Sequence, residues 1–88
     1  MNTLVPEKVE RVQATGVRFV DDALVLELSD LRQVWLPMRQ IHWLNWLAQA
    51  SPQQRANWEI LPHGIGVYWA DLDDGFEVEH ALSVGTLD

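Results

Sequence analysis

Glu77-x-x-His80 has the spacing with which a helix supplies ligands to a carboxylate-bridged iron site, and it occurs once in this chain. Such a site needs a second copy and two further glutamates on facing helices. Neither is found, so the pair reads as two polar residues on a surface helix. His42, His63 and His80 fall on different predicted elements, and none has another histidine three to five residues away. Asp71-Leu72-Asp73-Asp74-Gly75 suggests a calcium loop, but with Gly75 at the obligatory sixth position Ala70 and Leu72 stand where the first and third oxygen ligands belong. Ser29, Ser51 and Ser83 are read in a turn, a helix cap and a helix end, outside any Gly-x-Ser-x-Gly elbow. Gly64-Ile65-Gly66 lacks the third glycine and the following helix of a dinucleotide site. The absence of Cys removes thiolate nucleophiles, disulfides and Cys-based zinc sites. A small enzyme or metal protein using His63 or His80 with the nearby acids is therefore the runner-up, and no cofactor is expected.

Charge is more informative than chemistry. Asp71, Asp73, Asp74, Glu77 and Glu79 place five carboxylates in nine residues. From Ala56 onward there are seven acids and no Lys or Arg, whereas the first 55 residues carry six of each, so the net charge of −7 resides in the last 33. Such a field repels phosphate backbones and anionic lipids and attracts cationic surfaces. Direct nucleic-acid binding is not expected, because even aromatic stacking on unpaired bases normally comes with a cationic groove.

The elements that must position these groups follow from periodicity. Val9 to Thr15 reads as an edge strand ended by Gly16, after a mobile lead-in over residues 1–8. Arg18 to Val20, the turn Asp21-Asp22, and Ala23 to Leu28 read as strand, turn, strand, with Leu24, Leu26 and Leu28 on one face at period two. Gln33 to Leu36 is the third strand of an antiparallel meander, stopped by Pro37. Met38 to Ala50 changes to helical period, with Ile41, Leu44, Leu47 and Ala48 on one side and Arg39, His42, Asn45 and Gln49 on the other. Trp46 projects into the polar stripe and Trp43 sits at its border, which suits cover by the same chain, an interface anchor, or a homodimer contact. Ser51-Pro52 caps a short helix to Trp58, Ile65 to Trp69 is a final strand, and Asp73 or Asp74 caps a last helix over Glu77 to Val84 that Gly85 ends. The expectation is one α+β domain over residues 1–88: a small antiparallel sheet of three to four strands with one long and one or two short helices packed on it. No apolar run approaches the ~20 residues of a membrane span, and the start lacks a basic leader with an apolar core, so a cytoplasmic protein is expected.

Leu36-Pro37, Ala50-Ser51-Pro52-Gln53-Gln54-Arg55-Ala56-Asn57-Trp58-Glu59 and Gly64-Ile65-Gly66-Val67-Tyr68-Trp69-x-x-Leu72-Asp73 resemble the small bacterial domain-of-unknown-function family 2442 over about residues 20–85. The departures are Leu31 in place of Gly in an Asp-Gly turn, a longer segment between Pro37 and Ala50, Ala70 in place of Pro, and Gly75-Phe76 in place of Asp-Ile. The resemblance implies an α+β fold with a small antiparallel sheet and no established activity. It also implies, for some relatives, an antitoxin-like role beside a small partner protein; others add a helix-turn-helix domain, which is not expected within these 88 residues. The leading expectation is a non-catalytic interaction module that docks a basic protein partner through Asp71, Asp73, Asp74, Glu77 and Glu79, with Trp46 as apolar anchor. A variant is nucleic-acid mimicry, in which the carboxylates imitate phosphates.

Overall fold

The alternating leucines of the N-terminal half build the first of two sheets. The structure is a computed structural model and describes residues 11–83, so the lead-in over 1–8 and Gly85 lie outside the described residues. Strands β1 (Ala14–Val20), β2 (Ala23–Leu28) and β3 (Gln33–Pro37) form an antiparallel meander in that order. Val17 pairs with Leu26, Phe19 with Leu24, and Leu24 with Leu36, which aligns the apolar face as period two requires. β1 starts at Ala14 and runs through Gly16 instead of ending there. A register shift between Ala14 and Gly16 absorbs Thr15, whose hydroxyl donates to the Glu27 carbonyl at 3.2 Å. The turns are tight: Asp21 has φ 52° and Leu31 φ 72°, both left-handed.

Strands β4 (Trp58–Ile60), β5 (Gly66–Trp69) and β6 (Asp74–Glu77) form a second antiparallel sheet. The single sheet of three to four strands expected from the sequence is thus two sheets of three. β6 hides behind Asp73-Asp74, which resembles a helix cap. Its residue Phe76 is buried opposite Val67, and Gly75 lies opposite Tyr68, where a Cβ would come within 2.3 Å of the Val67 carbonyl oxygen. The last helix, α3 (Val78–Leu82), follows β6 directly without a side-chain cap and buries Val78 and Ala81.

The long helix over Met38 to Ala50 is not formed. A 3₁₀ turn at His42–Leu44 runs into one α-helical turn, α1 (Asn45–Ala48), and Ile41 before it is extended. Met38, Ile41, Leu44 and Leu47 are all buried. At 3.6 residues per turn this three-residue row drifts about 60° per step and would spread over half the helix circumference. A 3₁₀ turn, with three residues per turn, keeps such a row in line, and the chain uses that geometry at the centre of the row. Next, α2 (Pro52–Ala56) starts with a reciprocal cap: Ser51 Oγ accepts from Gln54 N at 3.1 Å, and Gln54 Oε1 accepts from Ser51 N at 3.0 Å. Leu24, Leu26, Leu36, Met38, Leu44, Leu47, Val67 and Trp69 are fully buried and belong to one cluster, so both sheets share a core.

Candidate functional site

The acids that dominate the sequence take different partners in the fold. Asp71 accepts from Asn57 Nδ2 at 3.0 Å, Asp73 from the Tyr68 hydroxyl at 2.6 Å, and Asp74 from the backbone N–H of its neighbour Gly75 at 2.8 Å. Glu79 is ion-paired with Arg11. The remaining arginines are used elsewhere: Arg18 with Glu27 (3.2 Å), Arg32 with Asp30 (2.6 Å) and Arg39 with Asp22 (3.3 Å). Arg55 donates to the carbonyls of Leu47 (3.1 Å) and Ala48 (2.7 Å), closing the carbonyl end of α1, and its guanidinium lies 5.8 Å from the Phe19 ring centre. Among the described residues, therefore, no cation pairs with Asp71, Asp73, Asp74 or Glu77. Hydrogen bonding to Asp73 raises the Tyr68 phenol above its ordinary value; mild desolvation and the neighbouring carboxylates push the same way.

Two open grooves flank the junction of β6 and α3. The larger, about 530 Å³, runs between Arg11 to Gln13, the turn His63 to Ile65, and Glu77 to Glu79. The other, about 410 Å³, is a shallow trough lined by Trp43, Trp46, Asp74, Gly75, Phe76, Glu77 and His80. Its aromatic wall is built by edge-to-face contacts, with ring centres 4.3 Å apart for Trp43 and His80 and 5.5 Å apart for Trp43 and Phe76. Trp46 is half-buried, edge-on to the fully buried Trp69 at 5.6 Å, and its Nε1 donates to the Trp43 carbonyl at 2.7 Å.

Of the residues singled out from the sequence, Trp46, Asp74 and Glu77 meet at this trough, whereas Asp71 and Asp73 lie at the β5–β6 connection and Glu79 on the other groove. Trp46 is not a bare anchor, because part of its ring is spent on Trp69. His63 and His80 line different grooves, and no group of three or more His, Asp or Glu side chains among the described residues is arranged to hold a metal. Trp43, expected with Trp46 as an interface contact, and His80 also line the trough, whereas Gly75 and Phe76 were not legible as site residues. The alternation of Asp74, Phe76 and Val78 was the available signal for a strand there.

The motif residues behave as architecture. Trp69 Nε1 donates to the Arg55 carbonyl at 2.9 Å, Trp58 pairs with Trp69 across β4 and β5, and Gly66 has no room for a Cβ, which would sit 2.3 Å from the Phe76 carbonyl oxygen. No curated protein matches the chain. A crystallised protein of unknown function from Rhodospirillum rubrum ATCC 11170 has the same fold, with a TM-score of 0.70 at 22% identity over 85% of this chain and 89% of that one. The family model for DUF2442, protein of unknown function, matches residues 14–80, and the chain belongs to that family.

Proposed function

We propose that the protein is a non-catalytic interaction module that docks a basic protein partner through its acidic C-terminal segment; an antitoxin-like pairing is one form of this role. The observation that carries the reading is that Asp71, Asp73, Asp74 and Glu77 have no cation beside them among the described residues, while the five arginines there are engaged elsewhere. Two of these acids rim an aromatic trough, so a cationic partner meets both charge and apolar surface there.

The test is capture from the native host by wild type and by the variant Asp71→Asn, Asp73→Asn, Asp74→Asn, Glu77→Gln, which keeps the hydrogen-bonding shapes and removes four charges. Screening shortens the Debye length from about 10 Å at 0.1 M salt to about 3 Å at 1 M. A basic protein should be held by wild type at low salt, released at high salt and absent with the variant, and the purified pair should reproduce this. Equal capture by both proteins, or none by either, overturns the reading.

A further inference from the structure

Building on the acidic docking face, we propose that the trough beside β6 receives an extended, Lys- or Arg-bearing segment of the partner by strand addition to the free edge of β6. Among the described residues, β6 pairs only with β5. The Val78 N–H donates to the Ile65 carbonyl at 2.8 Å, in line with the register that pairs Gly66 with Glu77 and Val67 with Phe76. Direct bonds in an antiparallel ladder alternate, so Asp74, Phe76 and Val78 turn their backbone groups toward β5. Gly75 and Glu77 turn theirs to the open edge. The other side of β5 agrees: Leu61 N–H donates to the Gly66 carbonyl at 2.9 Å, placing Gly66 and Tyr68 toward β4.

Two of the four outward groups are already used. The Gly75 N–H is taken by Asp74 Oδ1, and the Glu77 carbonyl, at the cap position of α3, accepts the first helical bond. Among the described residues, what remains is the Gly75 carbonyl and the Glu77 N–H, an acceptor and a donor flanking Phe76. One residue of a parallel strand satisfies both, donating to Gly75 and accepting from Glu77. All four residues of β6, Asp74 to Glu77, line the trough, as a groove running beside the strand requires, and Trp43, Trp46 and His80 complete its lining. Charge selects the occupant: Asp74 and Glu77 have no cation among the described residues and, three positions apart on the strand, face opposite sides of it, so an extended segment with basic side chains three positions apart and apolar ones between them fits both carboxylates and backbone.

The probe is the peptide acetyl-Arg-Val-Val-Arg-Val-amide, compared with its fully backbone N-methylated form, which keeps the charges and cannot donate to Gly75. Binding to the full chain is followed at low salt by amide and indole N–H shifts. Glu77→Pro removes an N–H that makes no bond among the described residues, while shifting the backbone from a φ of −95° toward about −65°, and Glu77→Gln removes the same charge while keeping the N–H. Expected are shifts at Glu77, Trp43 and Trp46, slowed exchange of the Glu77 amide, and affinity lower by about fivefold to tenfold for Glu77→Pro than for Glu77→Gln, the equivalent of one hydrogen bond. If Glu77→Pro loses its fold, the N-methylated peptide decides alone and should bind correspondingly more weakly. Equal binding of the two peptides, or equal affinity of two folded variants, overturns strand addition and leaves the acidic face standing. No binding of either peptide also overturns it, while the acidic face is judged separately by the charge-neutralised variant.

Discussion

Leu31 occupies a left-handed backbone position, φ 72°, and is 93% exposed, so it contributes conformational cost without burial. The turn is held by Asp30, which accepts from the Arg32 N–H (3.1 Å) and Nε (2.6 Å). Leu31→Gly is expected to stabilise the protein by roughly 0.5–1 kcal/mol, relief of the left-handed penalty exceeding the added freedom of the unfolded chain; urea unfolding measures it as a higher midpoint at constant slope. Tyr68 is the only tyrosine, so tyrosinate absorbance reports it alone. Its folded value is raised, chiefly by the bond to Asp73, and should be found above 10.0, with Asp73→Asn bringing it down. The sign follows from linkage: the contribution of this bond is fully present below the unfolded value near 10 and is lost as pH rises through the folded one. A folded-state titration at or below 10 contradicts the contact.

At the scale of elements, short helices depend on their ends, because a single turn has few internal bonds. Ser51→Ala removes one half of the reciprocal cap on α2 and should cost about 1 kcal/mol. Arg55→Met removes two charged donors from the carbonyl end of α1 and should cost more, about 2–3 kcal/mol, read in the same urea experiment. An equal or smaller loss for Arg55→Met would mean that water replaces the guanidinium there. The Arg55 and Trp58 spacing of the family resemblance thus acquires a structural meaning. Arg55 closes α1 and accepts from Trp69, while Trp58 packs across from it.

Over the whole molecule, one core joins the two sheets, with Leu24, Leu26 and Leu36 from the first clustered with Val67 and Trp69 from the second. Unfolding followed by tryptophan fluorescence, to which buried Trp69 contributes, should coincide with the loss of circular dichroism; separate midpoints would show that the sheets unfold independently. Sedimentation of wild type against Trp46→Ala tests self-association through the trough, and an unchanged coefficient leaves Trp46 no role in it. Strands β2, β3 and β5 and the capped start of α2 could be read directly, because period-two alternation, turn residues and a Ser-Pro cap are local signals, whereas β1 was expected to break at Gly16 and α2 to reach Trp58, which lies in β4. The acidic bias of the C-terminal third was equally plain, since charge counts need no coordinates. Tertiary packing decided the rest. Met38, Ile41, Leu44 and Leu47 share one core only if the expected helix tightens and breaks. Asp73-Asp74, which locally resembles a cap, leads into a strand because Phe76 is buried against Val67. The trough arises only when residues some thirty positions apart meet across that core, a placement that no local pattern encodes.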